Sequence, residues 1–135
     1  MYGGVIVFKS NILGLQVTVD LKPGVYLMGN DSAIGKSRLG SLLEKGFLNG
    51  LNTYYYNYSD YVKGLRIKDA LAKKSYDVVL LDRVDLYIQE YDIISEVMPY
   101  AESTVFLVDL KNIISDVRGV KYCTVIMKER EIKVV

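Results

Sequence analysis

Three short segments are apolar along almost their whole length: Val25 to Met28, Val78 to Leu81 and Thr104 to Val108. A strand that offers hydrophobic side chains to both of its faces has to be covered on both, the condition of a parallel sheet enclosed between layers. Stretches with apolar residues at helical intervals alternate with these runs. Ser37 to Phe47 carries Leu39, Leu42, Leu43 and Phe47, with Gly46 and Gly50 marking its end. Leu65 to Lys74 reads as a short amphipathic helix, and Leu86 to Tyr100 as a longer one ending near Pro99. Asn52 to Tyr58 is dominated by tyrosine and reads as a further strand. Alternation of strand and helix predicts an α/β fold with a mostly parallel sheet flanked by helices.

The two ends of the chain follow another pattern. Val5 to Lys9 and the period-two stretch Leu15 to Leu21 flank Ser10, Asn11 and Gly14, which predicts an antiparallel β-hairpin. Lys121 to Met127 and Glu131 to Val135 flank Lys128-Glu-Arg-Glu131 and predict a closing hairpin. At 135 residues, with no linker or repeat, the chain 1–135 is expected to form one domain.

Ligands of parallel α/β sheets sit beyond the carboxyl ends of the strands. Val25 to Met28 runs into Gly29-Asn-Asp-Ser-Ala-Ile-Gly-Lys-Ser37 and then into a helix. Strand, glycine-containing loop, Gly35-Lys36-Ser37 and helix together make the distal half of a phosphate-binding loop, the Walker A motif. A helix start offers unpaired backbone N–H groups and the positive end of the helix dipole to an anion. Gly35 allows close backbone approach, Lys36 supplies a mobile charge to the β- and γ-phosphates, and Ser37 offers a hydroxyl to Mg²⁺. The candidate nucleotide-binding residues are Gly29, Asn30, Asp31, Ser32, Ala33, Ile34, Gly35, Lys36, Ser37 and Arg38. Asn30 stands where the pattern usually has glycine or alanine, and asparagine tolerates left-handed backbone; alternatively the loop starts one residue earlier, at Gly29.

Tyr76-Asp-Val-Val-Leu-Leu-Asp82 is a buried strand ending in a carboxylate, the Walker B arrangement, so Asp82 joins Ser37 as a candidate Mg²⁺ ligand. These motifs resemble the P-loop NTPase superfamily, and within it a shrunken ATP-binding-cassette-type ATPase domain. Lys22-Pro-Gly-Val-Tyr-Leu-Met-Gly29 is similar to the approach such domains make to their phosphate loop. Asp82-Arg-Val-Asp-Leu-Tyr87 is similar to an Asp-Glu-x-Asp-Leu-Tyr sequence of related ATPases. The resemblance implies ATP, or GTP, as ligand with Mg²⁺, and weak or partner-dependent hydrolysis. ATPases of this type work in pairs, so it also implies a homo-oligomer or a protein partner.

Departures from that family bear on turnover. Arg83 replaces the glutamate that polarises the attacking water, Tyr61-Val-Lys-Gly-Leu65 does not match the signature loop, and the chain has no histidine for the switch position after the fourth strand, where Asp109 and Asn112 are the available polar groups. Asp85 is the candidate catalytic stand-in, because a helical turn starting at Asp82 would bring it to the same side; its other reading is a first-turn acid of the next helix. Arg83 reads either as a capping arginine or as a phosphate contact, and Asp82-Arg83 is also similar to a pair in nucleotide kinases. The non-enzymatic alternative is a nucleotide-independent or degenerate phosphate-loop module acting in binding or assembly, its loop empty or holding nucleotide as a structural ligand.

A net charge of +1, with basic residues scattered from Lys9 to Lys133, gives no nucleic-acid signal. The tyrosines from Tyr54 to Tyr61 are expected to pack on both faces of a strand rather than to stack bases. No apolar run approaches the roughly 20 residues of a membrane span, no signal peptide is visible, and one cysteine, Cys123, fits a core position in a reducing compartment. A cytoplasmic location is therefore expected.

Overall fold

The computed structural model describes residues 6–12, 15–28, 39–41, 52–87, 92–109, 119–128 and 130–135. Five of its strands form one parallel sheet in the order β4-β5-β6-β3-β7: β3 Gly24–Met28, β4 Thr53–Tyr56, β5 Val78–Leu81, β6 Val105–Asp109 and β7 Val120–Cys123. The apolar runs occupy its centre, and every residue of β5 is buried.

The remaining strands, β1 Ile6–Ile12, β2 Leu15–Leu21, β8 Val125–Lys128 and β9 Glu131–Val134, form a mixed sheet in the order β1-β2-β9-β8. Both expected hairpins are present as antiparallel pairs, and the parallel pairing of β2 with β9 joins them. One expectation is corrected here. Lys121 to Met127 is not a single strand: β7 ends at Cys123 in the parallel sheet, and β8 begins at Val125 in the mixed sheet. Thr124 is the junction, and its backbone N–H and C=O exchange hydrogen bonds with Val135 at 2.8 and 3.1 Å. Cys123 is buried, as expected.

The pleat separates two cores, because side chains two apart share a face. On one face Tyr26, Met28, Leu80, Leu107 and Cys123 pack with Leu39 of the helical residues 39–41 and with Val17, Val19, Ile132 and Val134 of the mixed sheet. On the other, Val25, Leu27, Val79, Leu81, Phe106 and Val108 pack against the helices α1 Tyr58–Val62, α2 Ile67–Lys73 and α3 Ile93–Val97 through Tyr61, Ile67, Leu71, Ile93, Ile94 and Val97. Layers thus cover both faces, as the apolar runs require.

Two further differences have local causes. The tyrosine strand stops at Tyr56 instead of Tyr58, because Asn57 caps α1: its side chain accepts from the Asp60 backbone N–H while Asp60 accepts from that of Asn57, a capping box. Leu86 to Tyr100 is not one helix over its described part. A 3₁₀ turn, Val84–Leu86, ends at its first residue, and α3, capped by Asp92, and a second 3₁₀ turn, Met98–Tyr100, with Pro99 in its first turn, follow. Among the described residues no helix is long and apolar enough to cross a membrane.

Candidate functional site

Sheet order decides which strand ends meet. The chain leaves β3 for a strand on one side, β4, and leaves β6 for a strand on the other, β7, although β3 and β6 are neighbours. That reversal is the topological switch point of an open α/β sheet, where ligands bind at the carboxyl ends. Met28, the last residue of β3, lies opposite Asp109, the last of β6. Leu81 lies opposite Val108, so Asp82, one step beyond β5, falls level with Asp109.

The two carboxylates meet. Asp109 is within hydrogen-bonding reach of the half-buried Asp82 side chain. On the other side the Tyr55 hydroxyl donates to Asp82 Oδ2 at 2.7 Å. Register explains this contact: Tyr55 pairs with Leu80, and Asp82 lies two residues further along the same face, a diagonal neighbour that a long side chain can reach. Burial, first, and the Asp109 carboxylate hold the Asp82 pKa above its ordinary 3.8, against the lowering effects of the Tyr55 hydrogen bond and the Arg83 charge.

The backbone around Asp82 is pinned at both of its polar groups. Its N–H donates to Tyr56 O at 2.8 Å, extending the β4–β5 ladder by one step, and its carbonyl accepts from the Tyr87 hydroxyl at 2.9 Å. Between that clamp and the 3₁₀ turn, Arg83 adopts φ 48°, ψ 54°, in the left-handed region. The turn begins at Val84, so the expected helical offset from Asp82 to Asp85 does not form: a left-handed residue interrupts it. Asp85 lies in the 3₁₀ turn, and its side chain is outside the described atoms.

The nucleotide-binding candidates from Gly29 to Arg38, including the Mg²⁺ candidate Ser37, lie outside the described residues, as does Asn112. Of the sequence candidates, Asp82, Arg83 and Asp109 are therefore the ones whose surroundings are visible. Residues 39–41, just beyond the loop, are helical, and Gly40 lies against the ring of Tyr55 and the side chain of Leu80, on the face to which Asp82 and Asp109 belong.

The tyrosine segment alternates as expected over β4: Tyr54 and Tyr56 join one core and Tyr55 the other. Tyr58 and Tyr61 lie on α1 instead, and Tyr61 stacks on Tyr87 at 4.9 Å between centroids, with the Arg66 guanidinium 4.7 Å from the Tyr61 ring. The role of Tyr55 at Asp82 did not emerge from the sequence. Its signal was available in outline: alternation puts Tyr55 on the opposite face from Tyr54 and Tyr56, but which strand lies next to it is a non-local fact.

Two carboxylates alone do not make a cation cage, and among the described residues no group of three or more His, Cys, Asp or Glu could hold a metal ion. Magnesium, however, is commonly held by one or two carboxylates, with waters and phosphate oxygens completing its shell. Asp82 and Asp109 offer hard oxygen donors whose mutual repulsion a dication would relieve, so the donor set fits that ion. Comparison of the chain with family models, with curated proteins and with solved structures finds no significant match.

Proposed function

We propose that the chain is a nucleotide-binding domain of the P-loop kind, in which the segment Gly29 to Arg38 receives the phosphates of ATP or GTP. Backbone amides and Lys36 would hold the phosphates, and Ser37 with Asp82 would hold Mg²⁺. The observation that carries the reading is the meeting of strand ends: β3, which leads into Gly35-Lys36-Ser37, ends opposite Asp109, and Asp109 touches Asp82. A phosphate-binding segment and a pair of hard oxygen donors would then share one edge of the sheet, at its switch point. Mg²⁺ bound there would neutralise phosphate charge.

Binding is better supported than turnover. Arg83 occupies the place of a water-polarising glutamate, and no helical turn runs from Asp82 to Asp85. A module that binds nucleotide for assembly with a partner is the second reading, and this same observation favours it. Titration of the protein with labelled ATP and GTP, with and without Mg²⁺, tests the proposal. Lys36→Ala is expected to weaken binding by about tenfold to a hundredfold, the worth of a charged hydrogen bond. Equal affinity of wild type and variant would reject the phosphate-loop reading. Phosphate release at the rate of a protein-free blank would leave the assembly module.

A further inference from the structure

Tyr55 joins two parts of the site that distant segments of the chain supply. Its ring lies against the helical residues 39–41: a Cβ built on Gly40 would sit 2.9 Å from Tyr55 Cε1 and 3.1 Å from Cζ, so an alanine there must displace the ring. At its far end the same side chain donates its hydroxyl to Asp82 Oδ2 at 2.7 Å. One rigid aromatic unit therefore spans from the helix that follows Gly35-Lys36-Ser37 to the carboxylate at the end of β5. The ring cannot tilt freely, because Tyr55 packs into the core that includes Leu39 and Leu80.

We propose that Tyr55 is a positioning residue that registers the helix after the phosphate loop against Asp82 and fixes the plane in which the Asp82 carboxylate is offered to a divalent cation. The inference rests on the nucleotide-binding reading above. The phenol holds Oδ2 and so fixes the plane of a carboxylate that also reaches Asp109, and partners of a metal-ligating carboxylate commonly set its orientation in this way. Gly40 is part of the device: a side chain at this position would break the seat of the ring and, through it, the aim of the carboxylate.

The test uses Mn²⁺ as the probe, followed by electron paramagnetic resonance on the full chain with ADP bound, beside a metal-free ATP titration. Tyr55→Phe keeps the ring and removes the hydroxyl. Its Mn²⁺ affinity is expected to fall about tenfold or more, as it does when outer-shell partners are lost, with metal-free ATP affinity little changed. Gly40→Ala is expected to weaken Mn²⁺ binding in the same direction, and Gly40→Ala combined with Tyr55→Phe to bind Mn²⁺ no worse than Tyr55→Phe, since both act through one hydroxyl. Wild-type Mn²⁺ affinity in Tyr55→Phe would overturn the proposal, and so would equal losses of Mn²⁺ and metal-free ATP, the mark of a merely structural tyrosine. If wild type binds no ATP at all, the nucleotide reading falls and the proposal falls with it; if wild type binds ATP and Tyr55→Phe is silent, only the proposal falls.

Discussion

Replacing Arg83 by glycine is expected to make the protein more stable than replacing it by alanine, and the difference measures strain at the end of β5. Arg83 is the one non-glycine residue with positive φ among those described. For a residue with a Cβ the left-handed region costs about 1–2 kcal/mol. Glycine avoids that cost but loses more chain entropy on folding, about 0.5–1 kcal/mol. Subtracting the second from the first leaves, at the middle of the two ranges, a net advantage of about 0.75 kcal/mol for glycine over alanine. The alanine variant is the proper reference, because both substitutions remove the guanidinium that lies near Asp82 and only one keeps the Cβ. The conformation persists because its surroundings fix it: Asp82 is held through N–H and carbonyl, and the Leu86 N–H donates to Arg83 O at 3.0 Å. Urea unfolding of the two variants reads the difference directly, and thermal midpoints should separate by about 2–4 °C. An alanine variant as stable as the glycine variant would refute the strain argument, and with it the idea that the chain tolerates a cost at this junction.

Two further perturbations probe the acid pair and the core. Asp82 has a folded-state pKa above its ordinary 3.8, so the native state binds this proton more tightly than the unfolded chain does. The associated stability is fully present below the unfolded value and is lost as pH rises through the raised folded value. Asp82→Asn, assayed with a chelator present, should therefore gain stability over wild type as pH rises from the acid range to neutrality; an advantage that shrinks over that interval would contradict the assignment. Phe106 is fully buried on β6, the middle strand of the parallel sheet, and Phe106→Ala should cost about 3–5 kcal/mol in urea unfolding. A loss below about 1 kcal/mol would mean that the packing around β6 collapses onto the gap.

What the sequence made legible was whatever short-range chemistry decides. The runs Val78 to Leu81 and Thr104 to Val108 could not lie anywhere but between two layers, and β5 and β6 are buried there. Where the reading failed, a local device overrode an average tendency. Tyrosine favours strands, but the reciprocal capping of Asn57 and Asp60 turns Tyr58 into a helix start. Lys121 to Met127 has the composition of one strand, and nothing in it signals that Thr124 hands the chain from one sheet to another. The site divides along the same line. Asp82 and Asp109 could be named because a strand ending in a carboxylate is a contiguous pattern, whereas their adjacency comes from the pairing of β5 with β6, and that of Tyr55, 27 positions from Asp82 in sequence, from the pairing of β4 with β5. Adjacency of this kind has no signature in any one segment, since Tyr54, Tyr55 and Tyr56 look alike until strand pairing decides which of them faces Asp82. The glycine at position 40 carries the same lesson: within a helical pattern it reads as a weak point, and only the ring of Tyr55 and the Leu80 side chain against it explain why a larger residue would not fit there.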